Sequence, residues 1–504
     1  MPTDYEQLPS YVVMNTNNTH LAKKIMPVAA KHPDKSGFYM LSSGMDAFIA
    51  RVALIELAER SLDIQYYIWN QDTTGKLLVD RLLAAADRGV RVRLLLDDLD
   101  TRDKEHGLKL LDAHANIEIR LYNPFAHRGS RAVGFVSDLR RVNRRMHNKS
   151  MTADNQVTIV GGRNIGNEYF GATSHAEFSD LDALSIGPIV KDVSTMFDEY
   201  WNSQWVIPVK AFGKGKTITK DALLKARNEF KQTVNDAKAD PYVEALQHSE
   251  ILKQLEQRTM KFYWGKAVLI YDAPSKVDAT EINGDTHLAP KLSSYINKAN
   301  KEIIIVSPYF VPGKRLVETL GQTVERGIRV RILTNSLAAN DVGVVHAGYM
   351  RYRVDLLKRG VELYEFKNTL APVKGRNKKW TGSSYASLHA KTFGLDRKAM
   401  FVGSFNLDPR SIALNTEMGV LFENYELAET MAKKFDDIVT NNAYRLKLIT
   451  TPADEAGVDF DEHRLQWIGR SDGKTVRYNV EPDTSLWQRF VAGFWSVFVI
   501  ESFL

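Results

Sequence analysis

Apolar and polar positions along the chain alternate between two rhythms. Residues 45–60 carry Phe48, Val52, Ile55 and Leu57 on or near one stripe of a 3.6-residue period, which predicts a helix. Residues 61–69 are a short apolar run of strand type. Residues 74–87 return to the helical period and stop at Gly89, a strong helix-ending signal. Val90 to Leu96 alternates Arg with apolar residues and predicts a half-buried strand; residues 116–122 predict another. Strand, helix and strand with short connections imply an α/β sheet with helices packed on its faces. The same order then returns. Residues 302–310 are strand-like, residues 314–325 are helical, and Arg326-Gly327-Ile328-Arg329-Val330-Arg331-Ile332-Leu333 matches Arg88-Gly89-Val90-Arg91-Val92-Arg93-Leu94-Leu95. The chain is therefore read as two copies of one unit.

The repeat carries chemistry. Met146-His147-Asn148-Lys149-Ser150-Met151-Thr152-Ala153-Asp154 and Leu388-His389-Ala390-Lys391-Thr392-Phe393-Gly394-Leu395-Asp396 share one skeleton: His, one residue, Lys, four residues, Asp. Ile159 to Asn164, with Gly161-Gly162, lies as far past His147 as Phe401 to Asn406, with Gly403-Ser404, lies past His389. Two matches with the same Gly and Asn offsets are not chance.

Around these units the pattern weakens. Residues 1–36 are polar and irregular and read as an arm; 37–206 is the first unit, 207–265 a connector of polar helices, 266–450 the second unit and 451–504 an extension. Residues 451–480 show no strong pattern. The last stretch carries Trp487, Phe490, Phe494, Trp495, Phe498 and Phe503 with few charges, and reads either as an interfacial helix with aromatics at the lipid headgroup level or as a helix closing the core. No apolar run reaches the roughly 18 to 20 residues that span a bilayer, and the N-terminal residues lack the apolar segment of a signal peptide.

At 504 residues the chain has room for two or three sizeable cores. It has no cysteine, which excludes disulfides, thiolate nucleophiles and thiolate metal sites. The net charge of +6 suits an anionic partner without naming one. Arg128, Arg131, Arg140, Arg141, Arg144 and Arg145 lead into His147, and Lys374, Arg376, Lys378 and Lys379, then Trp380, lead toward His389. They are either solvated loops or flanks of a site for an anionic substrate or surface.

On a strand, positions i and i+2 share a face, so His147 projects with Lys149 and His389 with Lys391. If the units pack about a pseudo-two-fold axis, two imidazoles and two ammonium groups converge. Asn164 and Asn406 add hydrogen-bond donors, and Gly162 and Ser404 allow close approach of a substrate to the backbone. Asp154 and Asp396 have the opposite parity and are expected to be structural or to stand behind the site. A phosphodiester fits this set: Lys and Asn stabilise the charge on its equatorial oxygens in place of a metal. One His attacks phosphorus, and the other protonates the departing alcohol and then deprotonates the acceptor. No metal or other cofactor is expected. Each His needs an acceptor for its second ring nitrogen. The second unit offers Glu417, and the first offers Asp180 or Asp182, with Asp180 favoured.

These residues resemble the phospholipase D superfamily, whose signature is the paired His-x-Lys-x4-Asp motif followed by Gly-Gly/Ser and Asn. The resemblance implies two α/β/α sandwich units about a pseudo-two-fold axis with one active site at their interface. It implies His147 as nucleophile, His389 as general acid and base, Lys149, Lys391, Asn164 and Asn406 on phosphate, and Asp180 and Glu417 orienting the histidines. Residues 38–41, 62–69, 143–149 and 161–170, with the aromatic tail, resemble the C-type subfamily of bacterial cardiolipin synthases. That implies a phosphatidyltransferase that works through phosphatidyl-histidine with phosphatidylglycerol as acceptor. Phosphatidylglycerol or phosphatidylethanolamine would be the donor, and the enzyme would sit peripherally on the cytoplasmic face of the plasma membrane. Hydrolysis to phosphatidic acid is the alternative. A nuclease of the same superfamily is a further one, but no nucleic-acid partner is expected, because such an enzyme does not need the aromatic tail. No protein partner is indicated.

Overall fold

The structure is a computed structural model that describes residues 2, 5–101, 103–126, 138–172, 176–212, 220–237, 250–257, 259–340, 342–368, 385–450, 463–471 and 473–498. A first helix, α1 (His20–Ala29), precedes the first unit. That unit runs β1 (Ser36–Leu41), α2 (Gly44–Leu57), β2 (Ser61–Tyr66), α3 (Thr73–Asp87), β3 (Arg91–Asp97), α4 (Glu105–Asp112), β4 (Ile117–Tyr122), α5 (Leu139–Val142), β5 (Ser150–Ala153), β6 (Val157–Gly161), α6 (Asn167–Phe170), β7 (Ala176–Ser179), β8 (Asp182–Ile186), α7 (Ile189–Trp201) and β9 (Val206–Pro208). The connector holds α8 (Lys220–Ala237), α9 (Glu250–Gln257) and β10 (Tyr263–Gly265). The second unit runs β11 (Ala267–Tyr271), α10 (Leu288–Ile296), β12 (Glu302–Val306), α11 (Gly313–Glu325), β13 (Arg329–Asn335), α12 (Gly343–Met350), α13 (Arg353–Lys358), β14 (Glu362–Phe366), β15 (Tyr385–Leu388), β16 (Thr392–Leu395), β17 (Ala399–Gly403), α14 (Pro409–Ala413), β18 (Met418–Glu423), α15 (Tyr425–Asn441) and β19 (Ala443–Thr450). Then come β20 (His463–Ser471), β21 (Lys474–Tyr478) and α16 (Leu486–Phe498).

The first sheet is ordered β10-β1-β8-β6-β5-β2-β3-β4-β9 and the second β11-β18-β17-β16-β12-β13-β14-β19-β20-β21. From β1 to β9 and from β11 to β19 the order is the same, so the repeat in sequence is a repeat in topology. β2, β3 and β4 run parallel, as do β12, β13 and β14. Two additions were not legible in the pattern. β10, from the connector, pairs with β1 of the first sheet, and β20 and β21 extend the second sheet from residues that showed no periodicity. The N-terminal arm lies on α7, where Ser10 and Val12 donate backbone N–H groups to Asn202 and Asp198.

Each unit has an apolar core between its sheet and its own helices. A third core crosses the seam, bringing Phe38, Met146, Val160 and Trp201 of the first unit together with Met400, Val402, Met418 and Phe422 of the second. Phe38 and Phe422 stack with ring centroids 4.2 Å apart. A seam packed as a domain interior fixes the two halves against each other.

The Arg-alternating strands are not half-buried as expected. β3 and β13 are buried on both faces along nearly their whole length. Arg93 lies under α7 with ion pairs to Asp63 at 2.6 Å and Asp198 at 2.7 Å, and Arg331 pairs with Glu302 at 2.8 Å and with Asp436 on α15. A buried guanidinium is tolerated because its charge and donors are met by carboxylates, and a helix supplies one carboxylate in each unit.

The motif aspartates are structural. Asp154 and Asp396 sit in left-handed turns, with φ of 50° and 52°, that close the β5–β6 and β16–β17 hairpins. Asp154 accepts the backbone N–H groups of Glu59, Arg60 and Ser61 at 2.7–3.2 Å, and Asp396 those of Asn300, Lys301 and Glu302 at 2.7–3.1 Å. A strand's length separates each from its His, so the carboxylates pin the turns to the loops before β2 and β12 and do not back the site. Asp154→Ala is expected to destabilise the protein by about 3 kcal/mol, since three backbone donors lose a charged acceptor. Asp154→Asn, which keeps an acceptor and tolerates the left-handed turn, should cost about half that. Chemical denaturation measures both; an alanine variant as stable as the parent would rule this role out.

Candidate active site

The two units meet through main-chain bonds at the motifs. His147 donates its N–H to the Thr416 carbonyl at 2.8 Å, and Thr416 donates back to Arg145 at 2.9 Å. On the other side β7 and β15 pair in parallel, Leu388 opposite Ser179, and His389 donates to the Ser179 carbonyl at 2.8 Å. Thr416 and Ser179 immediately precede Glu417 and Asp180. The pairing therefore carries each unit's carboxylate to the other unit's histidine. His147 Nδ1 lies 2.8 Å from Glu417 Oε2, and His389 Nδ1 lies 2.5 Å from Asp180 Oδ2. The sequence reading took each carboxylate as an acceptor offered by its own unit; the structure crosses the pairs. Asp182 serves the scaffold, with Arg51 at 2.9 Å and Arg163 at 3.3 Å.

His147 and His389 stand in extended segments at the start of β5 and between β15 and β16, 8 % and 6 % exposed. Lys149 and Lys391 are buried beside them, and each ammonium folds back onto the carbonyl of its own histidine. Lys391 Nζ also lies 3.0 Å and 3.2 Å from the two ring nitrogens of His389. Asn164 accepts from the Ile68 N–H at 3.3 Å and donates to the Tyr169 hydroxyl at 3.0 Å. Asn406 is buried with no hydrogen-bond partner at its carbonyl oxygen among the described residues.

Gly162 and Ser404 were expected to face substrate, but their contacts are with the carboxylates. A Cβ on Gly162 would come 2.4 Å from Asp180 Oδ1, so the missing side chain makes room for Asp180. Ser404 Oγ donates to Glu417 Oε2, and Ser411 Oγ donates to Glu417 Oε1 at 2.8 Å. Asp272 accepts the Glu417 backbone N–H at 2.7 Å. Two tyrosines escaped the sequence reading as contacts of the site. The Tyr67 and Tyr169 rings stand edge-on to His147 and His389 with centroids 5.0 Å and 5.3 Å away. Tyr67 lies in a run read as a strand and Tyr169 in a stretch noted for family resemblance, and nothing in the local pattern marks a tyrosine as a neighbour of an imidazole.

The first basic loop is also corrected. Arg141 pairs with Asp138 at 2.5 Å, Arg144 donates to the Lys276 carbonyl at 2.8 Å, and Arg145 pairs with Asp97 at 3.2 Å. These arginines hold the loop that delivers His147 and are not free to meet an anion; Arg140 is exposed. Arg128, Arg131 and the second basic loop with Trp380 lie outside the described residues, as does Phe503.

Burial pushes both imidazoles below the usual histidine range, His389 to about 4, and the positive charges of Lys149 and Lys391 act in the same direction on each. Burial also pushes Lys149 well down. Asp180 is raised by burial but held below the ordinary carboxylate value overall by His389, Lys391 and Arg163. Burial lifts Glu417 to about 7 against the pull of Lys149 and the two serines. The resting site thus holds neutral imidazoles, each tied at Nδ1 to an acceptor, within reach of both lysines. Tying Nδ1 turns Nε2 of each ring toward nucleophilic or proton-transfer chemistry on an anionic group, with Lys391 Nζ 3.2 Å from Nε2 of His389. A separate buried cluster of His346, Glu365 and Glu481 has the spacing of metal ligands. Arg353 lies 3.1 Å and 2.7 Å from its two carboxylates and already supplies the positive charge there.

A family model described as Cardiolipin synthase, PLD-like domain, matches residues 52–201 and 292–439. The chain is 43 % identical over 485 residues to cardiolipin synthase C of Escherichia coli K12, covering 95 % of this chain and 99 % of that protein. It is 23 % identical over 400 residues to cardiolipin synthase B of the same strain, covering 79 % of each. Among solved structures it resembles the phosphatidylserine synthase of Haemophilus influenzae Rd KW20 with a TM-score of 0.56 at 12 % identity, covering 84 % of this chain and 91 % of that one. That last likeness is one of fold.

Glu417 gives a pH signature. Its folded-state value of about 7 stands above its ordinary 4.5, so the folded protein holds this proton more tightly than the unfolded one. Stability is then greatest below 4.5, falls as pH rises to about 7, and stays reduced above it, by roughly 3 kcal/mol. Glu417→Gln removes the titration. Thermal unfolding should show the variant gaining on the parent at pH 8 and not at pH 4.5, while its turnover falls. The same difference in Tm at both values would contradict the assignment.

Proposed function

The chain belongs to the family of cardiolipin synthases with phospholipase D-like domains, and from that premise we propose that it is a phosphatidyltransferase making cardiolipin, with the following mechanism. The observation that carries this reading is the crossed set: two neutral imidazoles, each tied to a carboxylate of the other unit, beside two lysines.

Glu417 takes the Nδ1–H of His147, which leaves the Nε2 lone pair directed at phosphorus. His147 attacks the phosphodiester of a donor phospholipid. The P–N bond forms, the P–O bond to the headgroup alcohol breaks, and His389 gives that oxygen its proton. Burial and the nearby lysines keep His389 neutral in the empty site, and the negative charge of the bound phosphodiester offsets the lysines' share. The ionised Asp180 favours its imidazolium. A hydroxyl of phosphatidylglycerol then loses its proton to His389 and attacks phosphorus, and the P–N bond breaks to release cardiolipin and neutral His147. Lys149, Lys391, Asn164 and Asn406 hold the non-bridging oxygens where charge develops. The donor is a second phosphatidylglycerol, which releases glycerol, or phosphatidylethanolamine, which releases ethanolamine.

Membrane phospholipids are the substrates, and α16 is the candidate for docking on their surface. Leu486, Trp487, Phe490, Phe494 and Trp495 are 46–80 % exposed, while the small Ala492 is buried. The large aromatics therefore do not close the core; they form the outward face that an interfacial helix presents to headgroups. Among the described residues no helix is long and apolar enough to cross a membrane. Peripheral attachment at the cytoplasmic face of the plasma membrane accords with this.

Vesicles of phosphatidylglycerol, with and without phosphatidylethanolamine, test the reading. The protein should produce cardiolipin and free headgroup, and His147→Ala should produce neither. Phosphatidic acid as the sole lipid product would make the enzyme a hydrolase.

A further inference from the structure

A cavity of about 400 Å³ opens in the first unit between α3, α4 and β3. Most of its exposed lining is apolar, from Val79, Leu94, Leu96, Leu108 and Leu111 with Phe230 above them, and Asn70, Gln71 and His106 are among its polar lining residues. Phe230 and Ala226 belong to α8, so the connector between the two units is the roof of this chamber. Apolar cavities of this size are the usual form of small-molecule sites.

Two contacts register the cavity with the catalytic histidine. Tyr67 lines it, and the same ring stands edge-on to His147 at 5.0 Å and lies 5.4 Å from Lys149 Nζ. β3 forms the floor through Leu94 and Leu96, and its last residue, Asp97, accepts the Met146 backbone N–H at 2.7 Å and pairs with Arg145. One strand therefore fixes both the chamber and the loop that presents His147.

Charge at the rim narrows the occupant. Asp97 is buried and paired with Arg145, and Asp100 is paired with Lys104, which leaves Asp103 and Glu229 beside Lys76 among the charged lining residues. An anionic headgroup is repelled there, whereas an uncharged chain beneath the rim is not. At about 30 Å³ per water-sized group, the volume has room for a chain on the order of a dozen carbons. The roof also breaks the symmetry of the repeat. α8 packs on α3 and α4 in the first unit, whereas in the second the aromatic helix α16 packs on α12, one of the two helices between β13 and β14.

We propose that this cavity holds one acyl chain of the phosphatidyl group while its phosphorus is bound at His147. The inference rests on the phosphatidyltransferase reading and extends it to how the lipid is gripped. The chain stays seated while the first alcohol leaves and the second arrives, so the transferred group is held by its tail as well as by the covalent bond.

Phosphatidyl-p-nitrophenol esters with dibutanoyl or dipalmitoyl chains, presented in mixed micelles, separate the possibilities. The parent should favour the long-chain ester in kcat/KM. Ala226→Trp, which fills the chamber from its roof, should lower the long-to-short ratio at least 10-fold; an unchanged ratio overturns the proposal. Because a filled chamber can disturb folding, a second measurement uses the unaltered protein. A phospholipid with a diazirine midway along one chain should crosslink to peptides containing Leu96, Leu111 or Phe230. Crosslinks confined to other peptides overturn the proposal whatever the variant does. Failure of the parent to turn over either ester would instead count against phosphatidyl transfer itself.

Discussion

A pair of crossed hydrogen bonds governs this molecule. In each, a histidine of one unit meets a carboxylate of the other, and a main-chain bond of 2.8 Å beside it sets the register. Neither unit alone can assemble a histidine with its acceptor. The apolar seam, with Phe38 stacked on Phe422, holds the two sheets at the separation these short bonds require. The buried ion pairs at Arg145, Arg51 and Arg163 brace the loops and carboxylates beneath. The electrostatics follow from the same geometry. Burial and the two neighbouring ammonium groups keep both imidazoles neutral until an anion arrives, against the opposing pull of the carboxylates.

Much of this was legible in the sequence because the signal was repeated. The doubled His-x-Lys pattern, the Gly and Asn offsets and the parity argument that set Asp154 and Asp396 apart needed only local geometry. Asp180 and Glu417 could be singled out, but not their partners. Which carboxylate meets which histidine is decided by the β7–β15 pairing and the Met146–Thr416 bridge, which join residues hundreds of positions apart and leave no local periodicity. Gly162 read as space for a substrate, and only the fold shows that the space belongs to Asp180. The arginines before His147 read as a basic loop, and only tertiary contacts reveal that Asp97 engages Arg145 and the Lys276 carbonyl engages Arg144. β21 escaped because this edge strand has no buried residue, so it carries no apolar alternation that a short window can detect, and β20 is recognised only by its pairing with β19 and β21.

The repeat supplies symmetry, and the additions to it supply direction. A two-fold frame would treat donor and acceptor alike. α8 packs on α3 and α4 of the first unit and α16 on α12 of the second, one lining an internal apolar chamber and one turning aromatic rings outward. The two carboxylates differ as well, since Asp180 remains ionised and Glu417 gives up its proton only near neutral pH. Both differences fall where a two-step transfer needs its halves to act unequally.

The crossed pairing is tested most directly by following covalent labelling of His147 in a His389→Ala background. Phosphatidyl-p-nitrophenol serves as donor because its leaving group needs no proton, and the adduct is located by peptide mass spectrometry. Adding Glu417→Gln to that background should slow formation of the His147 adduct at least 10-fold, whereas adding Asp180→Asn should leave its rate within about two-fold. The opposite dependence, with labelling of His147 governed by Asp180 and indifferent to Glu417, would contradict the account.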